Sequence, residues 1–398
     1  MRAPELDIVL GAMLDTHPGI SDLVFSVGRP LQVESYGELK EAVIAQPVVR
    51  KLTRYQTEQL ALTIVGNQRH LLEDLVKRGA CDCSYALQER ARFRVNIFRQ
   101  RGNFAIVMRK AQTEMPSLAS LGLSPIFREM AKEKNGLILV TGATGSGKTT
   151  TLSAILNEIN EMQAVHVVTL EDPIEYIHQH KKATFNQREL GADFDTFPNG
   201  LRSALRQAPK VILVGEMRDR ATVEIALTAA ETGHLVLSTI HTINAGQSIN
   251  RILGMFDLAE ETQLRLRLSE TLRYVVSQRL APKFNGGRIM INEIMGSNLR
   301  TREAIALGEA DGRSFYEIIE SSSTFGWTTF DQSLARAYQA NLVTEATANL
   351  YATSKGRMTR YIDDVKKQRG LEHEEESGLK LDVEAATADS YINLRIGK

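Results

Sequence analysis

Four stretches of the chain are apolar almost without interruption: GLILVTG (136–142), VHVVTLED (165–172), KVILVGE (210–216) and HLVLSTIH (234–241). Each is of strand length and has apolar side chains for two faces, so each predicts a strand buried on both sides. The segments between them follow a helical pattern, as in TTTLSAILNEINEM (149–162) and ATVEIALTAAET (221–232). Buried strands alternating with helices predict an α/β unit with a mainly parallel sheet covered on both faces. The pattern continues through GGRIMINEIM (286–295), after which helical segments dominate. The first 110 residues have another texture. LVFSVG (23–28) and ARFRVNIFRQRGNFAIVMRK (91–110) alternate apolar and polar positions, with Gly102–Asn103 as the expected hairpin turn, and 52–78 predicts one or two amphipathic helices. The expected organisation is a mixed α/β module over 1–110 and a Pro-, Ser- and Gly-bearing linker over 111–124. An α/β domain with C-terminal helices follows over 125–365, then a polar, disordered tail over 366–398.

Composition narrows the function. The 398 residues carry 48 Lys plus Arg against 48 Asp plus Glu, so the formal net charge is zero. That disfavours a protein binding nucleic acid mainly through counterion release. No apolar run reaches the roughly 20 residues that span a bilayer, and the start lacks the apolar core of a signal peptide. The expectation is a soluble cytoplasmic protein. Cys81 and Cys83 are the only cysteines, too few for a disulfide framework or, by themselves, a four-ligand zinc site.

The chemistry concentrates around GATGSGKT, Gly142 to Thr149, which matches G-x-x-x-x-G-K-[ST] between a predicted strand and a predicted helix. The candidate nucleotide-binding segment runs through Gly142, Ala143, Thr144, Gly145, Ser146, Gly147, Lys148, Thr149 and Thr150. Its glycines let backbone N–H groups converge on phosphate oxygens, and the helix N-terminus adds partial positive charge. Lys148 reaches towards the β- and γ-phosphates of a nucleotide, and the Thr149 hydroxyl is a ligand for Mg²⁺. Two acidic strand ends accompany the loop: Glu171, Asp172 and Glu175 after one buried strand, Glu216 and Asp219 after another. Ligands of open α/β sheets sit at the carboxyl ends of the strands, so both clusters are expected in one crevice with the loop. One carboxylate near a metal and another orienting water suits nucleotide hydrolysis; spacing leaves open which acid does which. His234 and His241 bracket a third strand, one at each end, so they are not expected to share a metal. His178 and His180 are expected to be solvated.

In order along the chain, these motifs resemble the secretion-ATPase superfamily and, within it, the type IV pilus retraction ATPases of the PilT/PilU type. GATGSGKTTTLSAILNEIN resembles the Walker A region, TLEDPIEYIH the aspartate box, and RSALRQAPKVILVGEMRDRATVEIALTAAETGHLVLSTIHT the Walker B and histidine boxes. ISDLVFSVGRP resembles the SDLHL-x-x-G-x-P-P stretch, with Val24 and Leu31 at the two departing positions, and RFRVNIFRQRG an arginine-bearing strand pair. The resemblance covers about 5–365. It implies a PAS-like N-terminal α+β domain followed by a RecA-like P-loop ATPase domain with a mainly parallel sheet, six copies in a ring, and ATP with Mg²⁺ as ligands. It further implies that Glu175 activates the attacking water and Glu216 acts with Thr149 on the metal side. His234 and His241 would report the nucleotide state, and Arg94, Arg101 and Arg109 would approach the phosphates when the two domains close. The expected partners are further copies of the chain, an inner-membrane pilus platform protein and a second retraction ATPase, with no nucleic acid. The expected place is the cytoplasmic face of the inner membrane. TREAIALGEADGRSFYE (301–317) departs from the family's AIRNLIRE stretch while GWTTFDQSLARAY (326–338) resembles its TFDQ stretch, so main and accessory retraction motors both stay open. Pilus-assembly and type II secretion ATPases usually carry a tetracysteine zinc insertion, and no cysteine follows Cys83. A RecA-like DNA motor calls for a basic, aromatic-bearing loop, which neutral charge and 6% aromatic residues disfavour. A non-hydrolysing scaffold is disfavoured by intact Lys148, Glu175 and Glu216.

Overall fold

The computed structural model describes residues 3–45, 49–88, 90–111 and 114–369. The N-terminal part is built from α1 (Ala3–Leu14), β1 (Ile20–Phe25), β2 (Gln32–Ser35), β3 (Glu38–Glu41), α2 (Arg54–Val65), α3 (Arg69–Lys77), β4 (Ala80–Leu87), β5 (Ala91–Gln100) and β6 (Asn103–Lys110). Its strands form a six-stranded sheet in the order β3-β2-β1-β6-β5-β4, every neighbouring pair antiparallel. The 52–78 stretch divides into two helices: Thr53 and Gln56 form a capping box at the start of α2, and Gly66, at φ +55°, ends it.

Strand β5 shows how period-two alternation sets up the site. Phe93, Val95 and Ile97 are fully buried in the N-terminal core with Leu10, Leu60 and Ile106. Arg92 and Arg94 therefore emerge on the opposite face. The β5–β6 turn falls on Arg101–Gly102, one residue before the expected Gly102–Asn103, because Asn103 already pairs with Gln100 in the ladder. Both turn residues have positive φ, +51° and +74°, as a two-residue hairpin turn that follows the strand twist requires.

The second sheet begins after α4 (Ile126–Met130). It comprises β7 (Gly136–Gly142), α5 (Lys148–Met162), β8 (His166–Glu171), β9 (Thr184–Glu189), α6 (Phe197–Ala204), β10 (Val211–Val214), α7 (Arg220–Glu231), β11 (Leu235–Ile240), α8 (Ala245–Leu253), α9 (Glu261–Thr271), β12 (Leu272–Pro282), β13 (Arg288–Gly296), α10 (Leu299–Leu307) and α11 (Phe315–Glu320). The strand order is β13-β12-β7-β11-β10-β8-β9, with parallel ladders from β12 through to β9. Every residue of β7, β10 and β11 is buried, as their uninterrupted apolar runs predict. The fold is thus an antiparallel N-terminal sheet domain joined to a mainly parallel α/β domain.

Among the described residues, a second compact unit takes in 281–289 and 330–369. Its helices are α12 (Phe330–Gln339), α13 (Glu345–Tyr351) and α14 (Lys355–Gln368). They bury Leu334, Ala348, Met358 and Ile362, and the buried Asp331 carboxylate accepts from the Thr353 and Ser354 amides at 2.7 and 3.1 Å. Helix α14 runs past 366, where the polar tail was expected to begin; beyond 369 that expectation lies outside the described residues. Among the described residues, no helix is long and apolar enough to cross a membrane.

Candidate functional site: a phosphate-binding loop facing an arginine ribbon

Strand β7 ends at Gly142 and α5 begins at Lys148, so the loop between them closes directly onto a helix N-terminus. Gly142 has φ +145°, and a Cβ there would lie 2.5 Å from Ser146 Oγ and 2.6 Å from the Gln278 carbonyl. Only glycine fits that approach. Gly145 and Gly147, at φ +78° and +90°, have no atom within 4 Å of a Cβ position, which leaves the concave side of the loop open. The Ser146 hydroxyl is buried without a hydrogen-bond partner. An open cradle, a buried donor lacking an acceptor and a helix N-terminus together fit an anionic phosphate. The Lys148 ammonium donates to the carbonyls of Gly142 and Ala143, both at 3.0 Å. Desolvation lowers its pKa, and the nearby Glu216 and Glu175 charges oppose that shift. Thr149 and Thr150 follow on the first turn of α5, half-buried, with the Thr150 hydroxyl 3.2 Å from Tyr176 OH.

The two acidic strand ends separate by role. Glu216 follows Gly215 at the end of β10 and is held between neighbours: Gly215 N–H donates to Leu170 O and Met217 N–H to Thr239 O. Its carboxylate pairs with Arg218 Nε at 2.5 Å and lies 3.6 Å from His241 Nε2. His241 is held below its ordinary pKa by desolvation and by Lys148, against the pull of Glu216. Asp219, grouped with Glu216 on sequence, turns away from this chemistry: it caps α7, accepting from the Thr222 amide and hydroxyl at 2.9 and 2.8 Å. Glu171 is buried in β8, accepting from Thr169 Oγ1 at 2.6 Å and Gln187 Nε2 at 3.0 Å; burial pushes its carboxyl up to about 6. Partial desolvation and Glu216 raise the Asp172 pKa, while Arg94 and Arg218 oppose the rise. Glu175 is exposed.

Glu175 opens onto a cleft of about 340 Å³ whose walls include Arg94, Arg109, Thr150, Ile174 and Tyr176. Arg94 and Arg109 are direct cross-strand partners on β5 and β6. Like charges directly opposed destabilise a sheet unless anions face them. Asp22 supplies one such anion, accepting from Arg109 Nε at 2.8 Å, and the Asp172 charge acts on Arg94. Arg101 lies in the hairpin turn, seven residues and roughly 23 Å along the extended strand from Arg94, outside the cleft. His234 is likewise separated from the loop. It stands at the start of β11, its Nδ1 3.0 Å from Ala229 O, at the sheet edge remote from the carboxyl ends. The structure therefore assembles the 142–150 loop, Glu175, Glu216, His241, Arg94 and Arg109, and leaves Arg101 and His234 outside. Of the two histidines expected to be solvated, His180 is exposed and His178 is not. His178 is buried and stacks on Phe185 with ring centroids 4.5 Å apart, and His180 Nδ1 accepts from the Phe185 amide at 3.1 Å.

Sequence reasoning missed Arg92, Gln187 and Glu189. Glu189 is buried, pairs with Arg92 at 2.6 Å and accepts from the Ile174 amide at 3.1 Å. The available signal was the Gln187–Glu189 spacing, which on a strand puts both side chains on one face. Nothing in the pattern identified 184–189 as a strand.

Fold and site define a class: a P-loop nucleotide-binding α/β protein whose preceding antiparallel domain lines a cleft beside Thr150 and Glu175 with two arginines. Residues 84–321 match the family of Type II/IV secretion system proteins, and the chain belongs to that family. Within it, the chain is 37% identical to the type IV pilus retraction ATPase PilT of Pseudomonas aeruginosa, over 86% of this chain and 97% of that one. It is 35% identical to the type IV pilus ATPase PilU of the same organism, over 84% and 86% of the two chains. A crystal structure of the pilus retraction motor PilT with bound ADP superimposes with a TM-score of 0.78 at 36% identity, covering 90% of this chain and 99% of that one. The fold is PilT-like, and the chain falls among the PilT/PilU-like pilus ATPases.

Proposed function

We propose that this chain is an Mg²⁺-dependent ATP hydrolase that works as a ring of six copies to retract a type IV pilus. It would act at the cytoplasmic face of the inner membrane on a pilus platform protein. The observation that carries the reading is the convergence of the phosphate loop, Glu216, Glu175 and the Arg94–Arg109 pair around one end of the sheet. Similarity to PilT over 97% of that relative's length supports the retraction role. Lys148 would exchange its two loop carbonyls for phosphate oxygens, and Thr149 with Glu216 would hold Mg²⁺. Mg²⁺ supplies charge neutralisation for phosphoryl transfer when it is bound. Glu175 would accept the proton of the attacking water, and Arg94 would offset charge on the transferred group. Catalysis on this reading is positioning and charge stabilisation, with no covalent intermediate.

The test is genetic and mechanical. Pilus number and retraction under load are measured in a strain lacking the chain and in one carrying Lys148→Ala. A main retraction motor leaves the deletion strain piliated but unable to pull, and Lys148→Ala does not restore pulling. Similarity to PilU supports a second reading, an accessory motor beside another retraction ATPase. That role leaves retraction intact at low load and defective at high load. Bald cells that still make pilin would overturn both and favour an assembly motor.

A further inference from the structure

Strand β9 grips the loop that carries Glu175 at three backbone positions. Glu189 Oε2 accepts from the Ile174 amide at 3.1 Å. Gln187 Nε2 donates to the Tyr176 carbonyl at 2.8 Å, and Gln187 Oε1 accepts from the His178 amide at 2.8 Å. The oxygen of Glu189 that holds Ile174 also accepts from Arg92 Nη2 at 2.6 Å, and Arg92 belongs to β5 of the N-terminal sheet. Arg92 is braced in turn by Ser84 Oγ on β4, at 2.9 Å. The pair is enclosed: the Arg92 and Glu189 side chains are 20% and 6% exposed. One carboxylate oxygen thus joins the N-terminal sheet to the backbone amide immediately before Glu175. Electrostatics ties the same groups together, because the Glu175 and Glu189 charges both act on the buried Glu171. Arg92 is the cation bonded to this acidic group.

We propose that Arg92 and Glu189 are positioning residues that couple the seating of the N-terminal sheet to the placement of Glu175, so that water is activated only when that sheet is docked. The proposal rests on Glu175 as the base. Its physical basis is that withdrawing Arg92 leaves a buried carboxylate uncompensated beside two others, and the bond pattern that sets the 174–178 loop then reorganises. Small displacements of a reacting group slow turnover by about 10²-fold.

The full-length protein is assayed for kcat, KM and ADP affinity as Arg92→Met and Arg92→Lys, each with and without Glu175→Ala. Arg92→Met is expected to lower kcat by about 10- to 100-fold with ADP affinity unchanged, and Arg92→Lys to recover most of that loss. In the Glu175→Ala background, Arg92→Met should add nothing, since the group it positions is gone. Equal losses in both backgrounds, a loss confined to ADP affinity, or failure of Arg92→Lys to rescue would each overturn the coupling. Should Arg92→Met not fold, Glu189→Gln keeps an acceptor for Ile174 while removing the charge. It should lower kcat only when Glu175 is present, and an unchanged kcat would overturn the proposal. Unchanged turnover in Glu175→Ala alone would instead remove the base assignment, and the coupling with it.

Discussion

Lys148 and Glu175 both stand at the phosphate loop, yet their substitutions should fail differently. Lys148→Ala deletes the ammonium that sits on the Gly142 and Ala143 carbonyls, so it should weaken nucleotide binding, measured by titration with ADP. Glu175→Ala should keep ATP bound while slowing single-turnover hydrolysis by about 10²–10⁴, the usual worth of a positioned base. Two buried groups nearby make stability depend on pH in opposite senses. Burial raises the Glu171 carboxyl from 4.5 to about 6, so the folded chain binds more protons in that window, and stability falls as pH rises through it by about 2 kcal/mol. Burial, assisted by Lys181, lowers His178 from 6.5 to about 4. There the unfolded chain binds more protons, so stability is full above 6.5 and falls by about 3 kcal/mol as pH drops towards 4. Glu171→Gln should therefore steepen the loss on acidification relative to the unchanged protein. His178→Phe, which keeps the ring stack on Phe185, should reduce it. Urea unfolding from pH 4.5 to 7.5 checks both slopes.

Strands β5 and β9 act as side-chain combs: β5 turns one face to the N-terminal core and Arg92 and Arg94 to the other, and β9 turns Phe185, Gln187 and Glu189 to the loop that carries Glu175. On β5 this gives Arg94 a cleft position that Arg101, in the turn, lacks. Arg94→Ala should lower turnover by at least about 10²-fold with ATP affinity largely kept, whereas Arg101→Ala should alter it by less than about threefold within one subunit's site. Steady-state hydrolysis of the two variants decides the matter; equal losses would give Arg101 a role this chain's own cleft does not provide. Strand β13 has a packing limit instead. A Cβ on Gly296 would sit 2.5 Å from the Trp327 indole, so Gly296→Ala should overpack that contact and cost about 1–3 kcal/mol in chemical denaturation.

At the scale of the whole molecule, nucleotide and fold should stabilise each other. A ligand that binds only the folded chain adds about 2.7 kcal/mol at a concentration one hundred times its Kd. ADP should therefore raise the melting temperature, and Lys148→Ala should abolish the rise at the same ADP concentration. The Arg92–Glu189 pair bridges segments 97 residues apart and joins the two sheets through partners that are largely buried. Removing one member of such a pair costs about 3–5 kcal/mol, because the other remains as a buried charge. Thermal melts of Arg92→Met and Arg92→Lys should differ accordingly.

By itself the sequence determined whatever depends on neighbours in the chain. The loop from Gly142 to Thr150 is contiguous, so its glycines, Lys148 and Thr149 could be named before any contact was known. Strands β7, β8, β10 and β11 were legible because burial on both faces demands near-continuous apolar runs, and such runs are rare elsewhere in the chain. Placing Glu175 and Glu216 near the loop needed only the rule that parallel strands share a carboxyl edge. Tertiary structure decided the rest. Strand β9 buries one apolar side chain, Phe185, among Thr184–Glu189 and gives its polar groups to a loop. It therefore lacks the pattern that marks a strand. Strand β12 follows α9 directly, at Leu272 after Thr271, with no breaking residue between them. His178 looked solvated beside His180 and two lysines until Phe185, on another element, covered it. Only the folded chain puts Arg94 in a cleft with Thr150 and Glu175, or brings Arg92 to Glu189. Strand registers and contacts between distant segments set those distances, and neither is written in local spacing.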